Sequence, residues 1–283
     1  RVTLTGIKDP NDLSRRNNPT TGMLAGNLLD ILRVSAPIIM IALGMTFVIA
    51  TKGIDLSVGS IMAVGGAAAM ESLSAAGAPT SVGAMLTAIG IALLLGAALG
   101  LVNGLLVSVI GLQPFISTLV MMLAGRGIAR VITGGQNTNA TNEPFRQIAN
   151  GQILGLPISF VAAIVIVVLV SVIMRRTALG LMIESIGVNP AASRLAGIRP
   201  RPILIAVYIL SGVLAATGGL FTVSEVMTVD VSGTGYQMEL DAILAVVIGG
   251  TSLAGGKFSI LGSTVGALLI ATLNKTVLFL GIS

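Results

Sequence analysis

The sequence predicts an all-α integral membrane protein, and three observations carry that prediction. Of its 283 residues 54% are hydrophobic and 10% charged, where a soluble domain carries about 25% charged residues. Mean hydropathy is +0.99. Uncharged runs are long: no charge falls between Glu71 and Arg126, and others cover 147–174, 202–224, 242–256 and 258–274. A spanning helix needs about 20 mostly apolar residues, so the longest run holds at least two spans. No alternating pattern suggests a β-barrel.

Composition also excludes chemistry. The chain has no cysteine and no histidine. Disulfides, thiolate chemistry and histidine metal sites are therefore out. No nucleophile–base pair can be built and no carboxylate pair is convincing, which argues against an enzyme active site. There is no tryptophan and only two tyrosines, so aromatic belts are thin. The net charge of +5 points to basic cytoplasmic loops rather than to nucleic acid.

The elements follow in order, within a single transmembrane domain over 1–283. Residues 1–20 are polar, and 1–32 form an extramembrane lead-in, with a short amphipathic helix over 23–32. Apolar spans are predicted at 34–51, 56–74, 82–110, 115–133, 158–174 and 203–223. A short apolar run follows at 241–250 and a last span at 259–280, about eight in all. Turns fall at 75–80 and 111–114, the second placing Pro114 near a helix start, where its missing N–H costs little. Polar loops cover 134–155 and 224–239, and a basic loop covers 175–202.

Lys and Arg concentrate in cytoplasmic loops. The 175–202 loop carries Arg175, Arg176, Arg194, Arg199 and Arg201 against Glu184 alone. It is placed in the cytoplasm, with 134–155 and 224–239 outside. Counting back puts the N-terminal segment outside, although Arg15 and Arg16 argue against that. Counting forward puts Lys257 inside and Ser283 outside. Both counts suggest that a first and a last span lie beyond this sequence.

Two apolar stretches are interrupted by polar, glycine-containing breaks. In the first, Lys52-Gly53-Ile54-Asp55 sits between apolar runs, with Ser57 just beyond. Asp55 reads as the N-cap of the following helix, Gly53 as a source of backbone freedom. Lys52 either neutralises Asp55 or reaches the interface. A direct substrate role stays open, because a half-helix N-terminus inside a membrane is a ready polar site. The second break, Gly249-Gly250 to Lys257, echoes the first. The echo is either an internal repeat marking a translocation path or coincidence in a Gly/Ala-rich chain. It is not a phosphate-binding loop: Thr251 stands where the first glycine belongs and Phe258 follows Lys257. ATP dependence, if any, comes from a partner.

In the basic loop, Asn189 caps a short helix begun by Pro190. Ala191, Ala192, Leu195 and Ala196 give it a small, partly apolar face, and Gly197 ends it. Two turns are unstable alone, so it is held by packing and offers knobs for a partner's groove; the plain alternative is a connector. Arg126 and Arg130 share a helical face, either snorkelling at the outer interface or lining the route. Glu225, Asp230, Glu239 and Asp241 flank the outer mouth. Gly96 with Gly100 and Gly262 with Gly266 favour close helix packing.

Four blocks, 44–60 (GMTFVIATKGIDLSVGS), 113–136, 176–198 and 239–270, resemble the ribose-type sugar permeases of bacterial ABC importers, with wording nearest to galactofuranose permeases. The resemblance implies a multi-pass permease in the bacterial inner membrane, among membrane lipids. It implies a second permease subunit, identical or similar, two ATP-binding cassette domains inside, and a periplasmic or lipid-anchored sugar-binding protein outside. ATP and magnesium would be bound by those partners, with no cofactor in this chain. The coupling helix would comprise Asn189, Pro190, Ala191, Ala192 and Leu195, flanked by Glu184, Gly187 and Gly197. The translocation path is expected near Lys52, Gly53, Asp55, Ser57, Arg126, Arg130, Gly249, Gly250 and Lys257. Two other classes compete. A branched-chain amino-acid permease would need polar partners for a carboxylate and an ammonium. An ion-coupled carrier or channel would want ionisable residues inside its spans.

Overall fold

A computed structural model describes residues 16–17 and 24–279. Inside a bilayer every backbone polar group must be satisfied within the chain, which makes helices the unit of construction. In order these are α1 (Asn27–Ala50), α2 (Val58–Ala76), α3 (Val82–Leu105, continued by a π-helical turn to Ile110), α4 (Pro114–Ile132), α5 (Glu143–Asn150), α6 (Ile158–Arg176), α7 (Leu179–Val188), α8 (Pro190–Leu195), α9 (Pro200–Val226), α10 (Met238–Ile248) and α11 (Ile260–Phe279). Among the described residues, seven helices are long and apolar enough to cross a membrane.

Those seven differ in setting. Every residue from Ser35 to Ala50 on α1 is buried, so this helix is wrapped by its neighbours. In the most apolar windows of α1 and α2, 78% of residues are buried, against 22% in α3 and α6. The first two form the centre, and α3 and α6 lie at the edge with most of their apolar side chains at least partly exposed. Helix packing between apolar segments in lipid depends on close backbone approach. The small residues supply it: a Cβ at Gly100 would collide with the Tyr208 carbonyl, and one at Gly96 with the Gly212 carbonyl. Gly262 and Gly266 do the same for α11, against Gly249 and Ala245 of the α10 region. Phe47 of α1 meets Phe258 edge to face, with centroids 5.3 Å apart.

Short links mark the two faces. Thr138–Asn139 pairs with Thr228–Val229, and the Glu143 N–H donates to the Pro79 carbonyl. The turn 77–81 and the loops after α4 and α9 therefore share one face, as the Lys/Arg count predicts for the outside. On the opposite face the Gly256 N–H donates to the Ala50 carbonyl at 2.9 Å, and Lys52 Nζ to the Val188 carbonyl at 3.0 Å.

Several expectations are corrected. The short helix expected over 23–32 is not separate: α1 runs unbroken from Asn27, and Met23 lies outside the described residues, as do most of 1–20. The polar loop 134–155 contains α5, capped by the Asn142 side chain, which accepts from the Phe145 N–H. The basic loop holds two helices rather than one, because 179–188 is apolar enough to pack. The run at 241–250 is no full span: α10 begins at Met238 and has 11 residues, about 16 Å at the α-helical rise.

Candidate translocation and docking sites

The first break begins where α1 ends at Ala50. Lys52 takes a left-handed conformation (φ 64), so the unusual backbone falls on the lysine, not on Gly53. Gly53 is needed for room: a Cβ there would stand 2.8 Å from Tyr208 Oη and 2.9 Å from Val48 Cγ1. Lys52 points to Val188, and among the described residues no cation pairs with Asp55.

Asp55 is 1% exposed. It is not the N-cap. That position is Ser57, and Asp55 stands two residues upstream in an Asx turn. Its Oδ1 accepts from the Ser57 N–H at 2.9 Å and the Ser57 hydroxyl at 2.5 Å. Its Oδ2 accepts from Ser211 Oγ of α9 at 2.8 Å. Asn103 of α3 donates to Ser57 Oγ at 2.8 Å, and Thr118 of α4 donates to the Ile54 carbonyl at 3.0 Å. Three surrounding helices thus hold the break. Ser211 is twelfth in the 27-residue α9, about 16 Å along a 40 Å helix. The break therefore climbs from the inner face well into the membrane before α2 starts. Two fully buried polar atoms at this level, Asn103 Oδ1 and Tyr208 Oη, have no hydrogen-bond partner.

The second break, between α10 and α11, is built differently. Gly250, Gly255 and Gly256 have φ of 87°, 80° and 95°. Thr251 Oγ1 accepts from the Ser259 N–H, and Ser259 Oγ from the Gly262 N–H. Gly249 itself is right-handed (φ −67) and packs on Gly262. Lys257 is exposed. The two breaks touch through Gly256 and Ala50, and Thr46 of α1 donates to Ser263 of α11 at 2.8 Å.

The basic loop lies against both. A Cβ at Gly187 would strike the Ala50 carbonyl and come within 2.5 Å of the Gly256 nitrogen. Only glycine lets α7 sit there. Asn189 Oδ1 accepts from the N–H groups of Ala191 and Ala192 at 3.0 and 3.1 Å, Pro190 opens α8, and Gly197 closes it at φ 84. Ala191, Ala192 and Ala196 are exposed, and Leu195 is 92% exposed. Glu184 is half-buried on α7.

Arg126 and Arg130 part company. Arg130 is exposed. Arg126 is half-buried and donates through Nη1 to the Thr234 carbonyl at 2.5 Å, which corrects the expectation of snorkelling. The segment after α9 does not stay outside either. Gly235 and the Glu239 carboxylate lie against Gly59 on α2, so Glu239 is not at the outer mouth. Sequence reasoning missed this descent, though Gly233 and Gly235 flanking Thr234 were a readable signal. On the outer face a cavity of about 430 Å³ is lined by Pro79, Asn142, Glu143, Arg146 and Glu225, among others.

The family described as "Branched-chain amino acid transport system / permease component" matches residues 27–283. The chain is 57% identical over 270 residues to the fructose import permease FruF of Bifidobacterium longum, covering 94% of this chain and 74% of that protein. It is 42% identical over 260 residues to the galactofuranose transporter permease YtfT of Escherichia coli, covering 92% and 74%. It is 43% identical over 262 residues to the ribose import permease RbsC of Escherichia coli, covering 91% and 79%. No solved structure matches significantly. With its bundle of spans and this match, the chain is a multi-pass protein of the bacterial inner membrane and belongs to the branched-chain amino-acid-type permease family of ABC importers.

Proposed function

We propose that this chain is the transmembrane permease of an ATP-driven importer for a monosaccharide. The observation that carries the substrate class is the likeness to fructose, galactofuranose and ribose permeases over more than nine-tenths of the chain. The family's printed description names branched-chain amino acids; the named relatives favour sugar.

The energy source is external: ATP and magnesium are held by two cassette subunits, and α8 is their docking knob. Support comes from its exposed Ala192 and Leu195 and from what lies behind it. The α7–α8 corner presses on Ala50 and Gly256 through Gly187 and holds Lys52 through the Val188 carbonyl. A push on α8 therefore reaches both breaks without a long relay. The breaks in turn carry α2 and α11. A second copy or a related permease completes the route, and a sugar-binding protein docks on the outer face near the cavity at Asn142 and Glu225.

Purified with its ATPase and binding-protein partners in proteoliposomes, the chain should take up a monosaccharide and not leucine. ATP-dependent leucine uptake with no sugar uptake would overturn the substrate class. Ala192→Arg should insert normally yet uncouple ATP hydrolysis from uptake; normal uptake in that variant would sink the docking role of α8.

A further inference from the structure

We infer that Arg126, Tyr236 and Glu239 form a subsite for sugar hydroxyls on the wall of the route, halfway through the membrane. The inference rests on the monosaccharide reading above.

Depth comes first. α2 and α9 run side by side in the same direction, with Asp55 beside Ser211 and Gly65 against Ala216. Gly59 therefore lies near the middle of α9, about 20 Å from its inner end. Gly235 and Glu239 pack on Gly59, and Gly125 packs on Ser60. Arg126 and Glu239 are thus placed at mid-depth, where α10 begins.

Both charged side chains are only half-buried there. An ionisable residue facing lipid at that depth is costly, so such residues face a water-filled cavity or each other. These two are within electrostatic reach but form no ion pair. Arg126 is occupied by the Thr234 carbonyl, and Glu239 Oε2 is shielded from solvent with no hydrogen-bond partner. A polar atom left in that state costs free energy unless something fills it. Tyr236, three residues before Glu239, is 64% exposed and also within electrostatic reach of Arg126. Gly59 and Gly235 meet backbone to backbone, and a Cβ on either would collide with the other. The close approach brings the segment that carries Tyr236 and Glu239 down to this level.

The chemistry suits a polyhydroxy ligand. A neutral sugar offers adjacent hydroxyls that donate and accept, plus an apolar C–H face. A carboxylate accepts from hydroxyls, a guanidinium donates in a planar fork, and a tyrosine ring covers the C–H face. The same two groups would also meet the carboxylate and the ammonium of an amino-acid zwitterion, so the choice of sugar rests on the monosaccharide reading above.

The test uses the complete importer in proteoliposomes and D-fructose as the probe, reading sugars moved per ATP hydrolysed. In Glu239→Gln and in Tyr236→Ala this ratio should fall about 10-fold or more, the size of one lost hydrogen bond to a charged group. Tyr236 is exposed, so its variant keeps the test alive should the first fail to fold. A structural role would lower uptake and hydrolysis together and leave the ratio unchanged, which overturns the inference. Should the unaltered complex move neither fructose, ribose nor galactofuranose, the functional reading falls and the subsite with it. Uptake by the unaltered complex with an unchanged ratio in both variants removes the subsite alone.

Discussion

The two helix breaks look alike in sequence and are held in different ways. The break at 51–57 is fastened by side chains from other helices: Ser211 of α9, Asn103 of α3 and Thr118 of α4 all bond to it. The break at 249–259 is fastened from within, by Thr251 to Ser259 and Ser259 to Gly262, on three left-handed glycines. Among the described residues, its one hydrogen bond to another part of the bundle is the Gly256 N–H to Ala50. The first is a fixed post set into the core. The second, held mostly within itself, is built as a hinge would be and leans on it. A polar break in a membrane thus needs all its groups satisfied, but where the partners reside decides whether it moves.

Substitutions can break or sharpen this contrast. The largest loss is expected for Asp55→Ala, which strips the acceptor from Ser57 and Ser211 in a site 1% exposed. About 3 kcal/mol should go, since buried donors are left unsatisfied, seen as a lower midpoint in SDS unfolding. Gly187→Ala comes next, at about 2 kcal/mol, because its new methyl has no room; coupling of hydrolysis to uptake should weaken too. Thr251→Val removes one local bond and should cost about 1 kcal/mol. If it costs as much as Asp55→Ala in the same titration, the contrast between post and hinge is wrong. Lys52→Met removes an exposed contact to Val188 and should cost under about 1 kcal/mol, detectable as a small drop in coupled ATPase rate rather than in unfolding.

Much of this was legible in the residues. Apolar run lengths led to about eight spans, of which seven are long enough to cross a membrane, and Asn189, Pro190 and Gly197 marked both ends of α8. These signals are local: a cap or a turn acts within one helical turn of itself. What escaped was tertiary. Nothing near Asp55 in sequence says that its partner is Ser211, 156 positions away. A glycine such as Gly187 reads as flexibility until Ala50 is seen against it. The run at 241–250 read as a short apolar stretch, but its depth in the bundle did not show. Only its contact with Gly59 shows that it starts halfway down. Lys52 was open between pairing with Asp55 and reaching the interface; its left-handed backbone and its bond to the Val188 carbonyl set it apart from Asp55.

The bond from the Gly256 N–H to the Ala50 carbonyl has a use beyond holding two breaks together. It joins points more than 200 residues apart through one amide proton. That proton is a built-in gauge. Exchange with deuterated water requires the two breaks to separate, so its protection reports how far the inner end of the bundle is populated in the open state. Followed with and without ATP in an otherwise unaltered importer, the Gly256 amide would report how ATP shifts that population, with no substitution in the chain.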